Sequence, residues 1–302
     1  MQVGHPPDRA RWCEAFYHAA SYHSDMKHAQ KAALLLKLHH GKDPLVLVNA
    51  WDAASASIVA HCGFPAIATS SAAVANALGY ADGQHVPWAA MAEVIRRIAE
   101  AVALPVTADI ESGFAANTQE LEWNIEQVIE AGAVGINLED VMPGQRQGGL
   151  YPLPEQIERI KKVRCLAERL KIHLVINART DAYWQAGVSP EAALANTVER
   201  GRAYLQAGAD CVFVPGLKDA KHIGAVVEAL RAPVNILAVA GTPSVPELAA
   251  LGVKRVSTGS GAMRAAMGAL RSLAEEVRTS GTYKSLLEDA VPYAEMNGFF
   301  VK

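Results

Sequence analysis

From residue 45 onward, the chain alternates short apolar runs with longer amphipathic stretches, and this alternation restricts the possible folds more than any other feature. Each run is nearly continuous in apolar residues, as expected for a parallel strand that helices cover on both faces. The stretches between the runs are long enough for crossover helices. Eight such units predict an α/β fold, a (β/α)8 TIM-type barrel. The eight runs are LVLVNA, AIATSS, PVTADI, GINLED, HLVINA, CVFVPG, VNILAV and RVSTG.

The segments on either side of the eight runs predict additional helices. Residues 1–40 form an N-terminal helical extension in this interpretation, and its part at 26–40 has an amphipathic pattern suited to covering the bottom of the barrel. Residues 41–302 are then a single barrel domain that ends in extra C-terminal helices. The helical stretches at 261–281 and 283–291 exceed what barrel closure requires, so we expect them to contact another subunit.

Charge and hydropathy exclude several classes of partner. The formal net charge is −3 and the Lys and Arg residues are scattered, so no basic face for nucleic acid is expected. No apolar run approaches the roughly 20 residues that span a bilayer, and no secretory leader is recognisable at the N-terminus. The four cysteines have no metal-binding spacing and are expected to be reduced thiols. These features predict a cytoplasmic protein without membrane partners.

Charged residues end three of the predicted strands, in the segments VTADIESG, INLEDV and VINARTDA. A barrel brings these strand ends to one rim, so Asp109, Glu111, Glu139, Asp140 and Arg179 are expected to gather there. Carboxylates crowded in this way repel each other unless a divalent cation lies among them, and oxygen ligands favour Mg²⁺ or Mn²⁺. The sequence therefore predicts a metal-dependent enzyme.

Strand alternation refines the expected positions of these acids. Asp109 and Glu111 are two residues apart, so in a regular strand they share a face. Glu139 and Asp140 are adjacent, and we expect Glu139 to face inward because the following residues must turn into a loop. The alternative for each acid is a purely structural role as a cap of the next helix.

Other candidate residues follow the second, fifth and eighth runs. Ser70 and Ser71 precede a stretch of small residues that would let backbone N–H groups approach a carboxylate, or else they cap a helix. Arg179 suits bidentate binding of a carboxylate or phosphonate, and its alternative is a structural pair with Asp181. The segment STGSG at 257–261 is either a phosphate cradle or an ordinary turn.

Two further residues are candidates because of their positions in or after a predicted strand. Asn235, in the seventh run, is a candidate for substrate binding. Lys218, after the sixth run, could serve a Schiff-base aldolase if burial lowered the pKa of its amine.

Five motifs, taken in order, resemble those of the isocitrate lyase and phosphoenolpyruvate mutase superfamily, and the resemblance covers roughly residues 42–280. It implies the same type of barrel, with a C-terminal helix exchanged between subunits of a homo-oligomer, a tetramer or dimer. The motifs are SSAAVANALGYADG, ADIESGFA, INLED, NARTDA and GTPSVPELAALGVKRVSTG.

The resemblance also implies roles for individual residues. It makes Asp109 a ligand of Mg²⁺ or Mn²⁺, directly or through water, with Glu111 and Glu139 supporting the coordination sphere. It makes Asp82 a further acid beside the metal and a candidate catalytic residue. Ser70, Ser71 and Ala72 match the segment that holds the substrate carboxylate, and Arg179 matches an arginine that binds an oxygen-rich substrate group.

The loop after the fourth run, DVMPGQRQGGLYPLP, departs from the superfamily. It has no Cys, Lys or His, whereas the lyases carry a Lys-Lys/Arg-Cys-Gly-His signature there and the phosphonate-handling members carry Lys and Asn. Arg146 is the candidate in this loop for contacting a transferring group. Its prolines and glycines suit a mobile lid.

The resemblance implies a Mg²⁺-dependent lyase or decarboxylase that cleaves a carbon–carbon bond of a small 2-oxo or 2-hydroxy carboxylate through an enolate. Two alternatives stay open at this point. One is a phosphonate-handling enzyme, such as a mutase or phosphonopyruvate hydrolase. The other is a barrel that binds 2-oxo acids without catalysis, which the missing acid–base groups of the loop suggest.

Overall fold

The first apolar run of the sequence supplies both ends of one parallel β-sheet. In the computed structural model, which describes residues 27–145 and 149–301, this run forms β1 (Leu45–Leu47) and β2 (Asn49–Ala50), interrupted at Val48. Strand β1 pairs with the last strand, and β2 pairs with β3. The sheet therefore closes into a barrel. The other strands are β3 Ile67–Thr69, β4 Val106–Asp109, β5 Gly135–Glu139, β6 Val175–Arg179, β7 Cys211–Val214, β8 Val234–Leu237 and β9 Arg255–Ser257.

Helices alternate with the strands and surround the barrel, so the predicted (β/α)8 TIM-type fold is confirmed. A short 3-10 helix at Ala182–Trp184 follows β6. The described α-helices are α1 His28–His39, α2 Ala53–His61, α3 Ser71–Ala77, α4 Trp88–Ala101, α5 Thr118–Glu130, α6 Leu153–Arg169, α7 Pro190–Gln206, α8 Ala220–Leu230, α9 Val245–Ala250, α10 Gly261–Ser280, α11 Lys284–Asp289 and α12 Tyr293–Gly298.

Short polar side chains cap the helices that follow the strands. Asn117 accepts a hydrogen bond from the Glu120 backbone N–H at 2.9 Å and begins α5. Ser189 accepts from the Ala192 N–H and begins α7. Such caps satisfy N–H groups that have no partner inside the helix, which fixes where each helix starts.

Helix α1 covers the end of the barrel opposite to the charged strand ends. Leu35 is fully buried, and the His28 imidazole lies 3.1 Å from the Ala133 carbonyl just before β5. Gly135 permits this close approach, because a Cβ atom there would lie 2.7 Å from the Leu35 side chain. The barrel therefore has a closed bottom and its open end at the carboxyl termini of the strands. Residues 1–26 lie outside the described part of the chain.

The C-terminal helices α10 to α12 leave large apolar side chains in contact with solvent. Leu270 is 56% exposed, Leu287 is 73% exposed and Tyr293 is 86% exposed. The exchange of a helix between subunits stays a prediction. No helix within residues 27–145 and 149–301 has the length and apolar character needed to cross a bilayer.

Candidate active site

A small cavity lies at the carboxyl ends of the strands, where barrel enzymes place their active sites. Its volume is about 140 Å³, well below the roughly 300 Å³ at which pockets for drug-sized ligands begin. The cavity therefore suits a molecule of only a few heavy atoms. Six of the residues predicted from the sequence line it: Ser70, Ser71, Ala72, Asp82, Asp109 and Arg179.

Asp109, the last residue of β4, is held by the start of α3. Its Oδ2 accepts hydrogen bonds from the Ser71 backbone N–H at 2.9 Å and the Ser71 hydroxyl at 2.8 Å. Its own backbone N–H donates to the Thr69 hydroxyl at 2.8 Å. The second carboxylate oxygen, Oδ1, is buried and has no hydrogen-bond partner among the described residues. One oxygen of Asp109 thus fixes the carboxylate, and the other is left for a ligand.

The two serines have structural partners in addition to their places in the cavity wall. The Ser70 hydroxyl accepts a hydrogen bond from the Ala73 N–H at 3.4 Å, which is the capping role considered for it. Both polar donors of Ser71 are directed to Asp109. The prediction that this segment holds a substrate carboxylate therefore rests most directly on Ala72, which lines the cavity.

Arg179, at the end of β6, is clamped between two acids. Its Nη1 lies 2.7 Å from Glu139 Oε2, and its Nε and Nη2 donate to the two carboxylate oxygens of Asp181 at 2.6 and 2.7 Å. The guanidinium carbon lies 5.1 Å from the ring centre of Trp184. Gly216 makes room for that ring, because a Cβ atom there would lie 2.6 Å from it. The expected pair with Asp181 is thus present, and the arginine still lines the cavity.

Burial and neighbouring charges shift the pKa values of this ion cluster. Burial raises the pKa of Glu139 well above its ordinary value, Arg179 opposes the shift, and Asp181 adds to it. Burial alone would lower the pKa of Arg179, but the charges of Asp181 and Glu139 raise it well above its usual range. Arg179 therefore stays charged and can attract an anion into the cavity.

Glu111 occupies a different position from the one that strand alternation predicts. Strand β4 ends at Asp109, and Glu111 has a φ of +51°, so it lies in a turn beyond the strand. Its Oε1 accepts a hydrogen bond from the Gln84 N–H at 3.1 Å. That contact ties the loop carrying Asp82 to the end of β4, and Asp82 lines the cavity. Metal binding by either acid stays a prediction.

Three candidates lie away from the cavity lining or outside the described residues. Asn235 is buried, and its Oδ1 accepts a hydrogen bond from the Ser257 hydroxyl at 3.3 Å. The Lys218 amine is near the surface, 3.4 Å from the Ala240 carbonyl. Arg146 falls in residues 146–148, which lie outside the described part of the chain, although a bridge between Val141 and Leu150 pairs the two ends of that loop. Their functional roles stay predictions.

The STGSG segment contributes to the cavity wall, but two of its backbone N–H groups already donate to Asn49. Asn49 Oδ1 accepts from the backbone N–H groups of Thr258 and Gly259, each at 2.9 Å. Ser257 and Ser260 line the cavity. Because these two N–H groups already donate to Asn49, they are not directed at a phosphate. The structure therefore favours an ordinary turn over a phosphate cradle.

Sequence reasoning missed Asn137, Trp184 and Phe213, which also line the cavity. Asn137 lies within β5, two residues before Glu139, and strand alternation could have placed it on the same inward face. Trp184 and Phe213 had no comparable signal. Phe213 lies beside Arg179 because the pairing of β6 with β7 places the two residues opposite each other, and its ring centre is 5.8 Å from the guanidinium carbon.

The donor set of the cavity fits one magnesium ion with few protein ligands. Within residues 27–145 and 149–301, no three His, Cys, Asp or Glu side chains form a preassembled metal cluster. Mg²⁺ is commonly held by one or two carboxylates together with water and substrate oxygens. Asp109, with a buried and unpartnered Oδ1, meets that requirement, and Asp82 lines the same cavity.

Comparison with known proteins agrees with this fold. The profile of the phosphoenolpyruvate phosphomutase family matches residues 35–278, so the chain belongs to that family and to the isocitrate lyase and phosphoenolpyruvate mutase superfamily. The resemblance inferred from the five motifs is therefore confirmed.

Three similar proteins illustrate the range of the family. An uncharacterized protein of Mycobacterium tuberculosis is 33% identical over 87% of this chain and 95% of its own length. Oxaloacetate decarboxylase of Pseudomonas fluorescens is 33% identical over 73% of this chain and 75% of its own length. The crystal structure of a proposed phosphonomutase from Burkholderia cenocepacia has a TM-score of 0.78 and 43% identity, and the match covers 82% of this chain and 99% of that one. The named relatives of this chain thus include a carbon–carbon lyase and a proposed mutase.

Proposed function

We propose that this protein is a Mg²⁺-dependent lyase or decarboxylase that cleaves a carbon–carbon bond of a small 2-oxo or 2-hydroxy carboxylate through an enolate. The observation that carries the proposal is Asp109, whose Oδ1 is buried beside a cavity of about 140 Å³ and has no partner among the described residues. The similarity to oxaloacetate decarboxylase supports this class of substrate.

The residues of the cavity divide into those that hold a cation and those that bind an anion. Asp109, with Asp82 nearby, would hold Mg²⁺, which when bound withdraws electrons from the oxygens of a 2-oxo acid. Ser71 keeps the Asp109 carboxylate in one orientation. Arg179 carries five N–H bonds, of which the contacts with Glu139 and Asp181 use three, so within the described part of the chain two remain for a substrate oxygen.

The composition of the loop that follows β5 favours decarboxylation over cleavage of a 2-hydroxy acid. Cleavage of a 2-hydroxy acid needs a base that removes the hydroxyl proton, and DVMPGQRQGGLYPLP contains no Cys, Lys or His. When a 3-carboxylated 2-oxo acid loses CO₂, the bonding electrons pass into the enolate, and a proton from water then adds to C3. That sequence requires no protein base for bond cleavage.

A phosphonate-handling activity is the second candidate. It is favoured by the Burkholderia cenocepacia structure, which is 43% identical and is a proposed phosphonomutase. The charged Arg179 would suit a phosphonate as well as a carboxylate.

Purified protein assayed with Mg²⁺ against oxaloacetate, 2-methylisocitrate, dimethylmalate, phosphonopyruvate and phosphoenolpyruvate separates these functions. We expect turnover of a 2-oxo or 2-hydroxy carboxylate that a chelator abolishes and that added Mg²⁺ or Mn²⁺ restores. Asp109→Asn should lower kcat/KM by at least about 100-fold, since even outer partners of metal ligands contribute 10–100-fold. Asp43→Asn changes an exposed residue and is the control.

Two other results would contradict the proposal. Turnover of phosphonopyruvate or phosphoenolpyruvate alone would support the phosphonate-handling candidate. Stabilisation by oxalate with Mg²⁺, without turnover of any of the five compounds, would support a barrel that only binds 2-oxo acids.

We further propose that the protein is a homo-oligomer, a dimer or tetramer, assembled through the exposed apolar side chains of α10 to α12.

A further inference from the structure

Arg255, the first residue of β9, is a fully buried cation inside the barrel. Within the described residues, no carboxylate lies within ion-pair distance of its guanidinium. Its two side-chain contacts are to neutral groups, the His39 imidazole at 3.2 Å and Asn137 Oδ1 at 3.1 Å. Burial lowers the pKa of Arg255 to about 10, and the more distant charge of Asp109 only partly opposes this shift, so the cost of burying the guanidinium is incompletely compensated.

The hydrogen bonds of His39 show that it does not compensate this charge. Its Nδ1 lies 2.8 Å from the Leu35 carbonyl, which can only accept, so Nδ1 carries the hydrogen. Nε2 is then the acceptor for Arg255. Burial, followed by the charge of Arg255, lowers the pKa of His39 to about 3, so the imidazole is neutral. The guanidinium therefore remains the charged member of this pair.

The same guanidinium fixes the orientation of the Asn137 amide. Arg255 can only donate, so the Asn137 atom that faces it must be the carbonyl oxygen. That oxygen also accepts from Asn177 Nδ2 at 2.8 Å, so both of its lone pairs are engaged. Rotating the amide by 180° would place an NH₂ group against two donors. The amide nitrogen of Asn137 is thus the polar atom left for the cavity that this residue lines.

Asn137 Nδ2 has no hydrogen-bond partner among the described residues. A fixed N–H donor backed by a buried positive charge is suited to an oxygen that carries negative charge. We propose that Asn137 Nδ2 donates a hydrogen bond to an anionic oxygen of the bound substrate, and that Arg255 is the positioning residue that orients the amide and makes this part of the cavity positive. This inference rests on the proposed function, because it assumes that the ligand is a small carboxylate.

The decisive variant is Asn137→Asp, because folding and binding should respond in opposite directions. The new carboxylate can pair with Arg255, which supplies the missing counter-ion and should raise the melting temperature. The same change replaces the donor with an acceptor and cancels the positive charge. Oxalate binding in the presence of Mg²⁺, measured by calorimetry, should therefore weaken by at least about tenfold, the usual scale for a hydrogen bond to a charged group.

Asn196→Asp is the matched control. Asn196 lies on α7, outside the cavity lining, and its Oδ1 accepts from Arg200 Nε at 2.9 Å. The isosteric change adds the same charge beside an arginine, and the affinity for oxalate should stay within about twofold of the unmodified protein.

Two variants of Arg255 test its positioning role separately from a purely structural one. Arg255→Met removes the charge and the donors and should weaken oxalate binding by about the same factor as Asn137→Asp. Arg255→Lys keeps a charged donor and should recover most of the affinity. If Arg255 only supported the fold, both variants would lower the melting temperature and leave the oxalate affinity of the folded protein unchanged.

Two negative results have different meanings. Unchanged oxalate affinity in Asn137→Asp would overturn this inference and leave the proposed function intact. Failure of the unmodified protein to bind oxalate with Mg²⁺ would overturn the proposed function, and this inference with it.

Discussion

Glu139 and Asp140 are adjacent in the chain, yet their side chains contact different parts of the molecule. Glu139 pairs with Arg179 at the cavity, whereas Asp140 is fully buried toward α7. Asp140 Oδ2 accepts from the Tyr204 hydroxyl at 2.7 Å and lies 3.3 Å from Arg200 Nη1. Asp140 therefore links the end of β5 to a surrounding helix.

Replacing Asp140 with Asn should reduce stability more than activity. The variant keeps the shape of the side chain but leaves Arg200 without its buried anion, which we expect to cost about 3–5 kcal/mol. Denaturant unfolding measures the change. Tyr204→Phe, which removes the two hydrogen bonds that the hydroxyl makes with Asp140 and Arg200, is a comparison expected to cost about 2 kcal/mol. An unchanged unfolding free energy for Asp140→Asn would show that the network does not hold β5 to α7.

His39 should make the protein less stable at acidic pH. Its pKa is lowered from 6.5 to about 3 in the folded protein, so between these values the unfolded chain binds more protons than the folded one. The stability contributed by neutral His39 is therefore complete above about pH 6.5 and is lost as the pH falls toward 3. The slope in that window should reach about 1.4 kcal/mol per pH unit.

Unfolding free energies at several pH values between 7 and 4 test this expectation. His39→Gln can keep both hydrogen bonds without a titrating group, so its profile should be flatter than that of the unmodified protein. His40→Gln changes the exposed neighbour and is the control. Parallel profiles for the unmodified protein and His39→Gln would contradict the assignment.

At the scale of elements, the contact between α1 and β5 closes the bottom of the barrel. The contact depends on the absence of a side chain at Gly135, where an added Cβ atom would lie 2.7 Å from Leu35 and 3.0 Å from the Thr107 hydroxyl. Both neighbours are buried, so neither can move away freely.

Gly135→Ala should therefore destabilise the protein by about 1–3 kcal/mol, the usual cost of overpacking a core. Gly224→Ala is the matched control, because a Cβ atom there would meet only Leu251 at 3.8 Å within α8 and should stabilise the helix by about 0.5–1 kcal/mol. Thermal or denaturant unfolding measures both changes. Equal stability of Gly135→Ala and the unmodified protein would mean that α1 does not pack tightly on β5.

For the whole molecule, the sequence predicted the barrel well, because eight buried runs and their helices are local patterns. The break at Val48 that divides the first run into β1 and β2 was not predicted, since LVLVNA is apolar throughout. The position of Glu111 was also not predictable from alternation, because the end of β4 depends on its pairing with β5.

The candidate site was predictable only in part, for a related reason. Asp109 and Arg179 end strands, and the barrel topology alone brings such residues to one rim. The contact between Arg255 and Asn137 joins residues 118 positions apart. It depends on which side chains share a layer inside the barrel, and no local pattern encodes that arrangement.

The apolar face of α10 offers the last test, which concerns assembly. Met267, Leu270 and Val277 recur at helical spacing and are 44%, 56% and 48% exposed. A stripe of this kind on one face is unusual for a monomer and fits a subunit interface. We expect light scattering after size-exclusion chromatography to give the mass of a dimer or tetramer.

Leu270→Asp should shift that mass toward the monomer, because it would place a charge in a desolvated contact. Leu170→Asp alters a leucine that is 37% exposed directly after α6, outside the C-terminal helices, and it should leave the mass unchanged. If α10 carries the interface, the loss of assembly should also lower the melting temperature at low protein concentration, because dissociation and unfolding are then coupled. A monomeric mass for the unmodified protein would contradict the proposed oligomer directly.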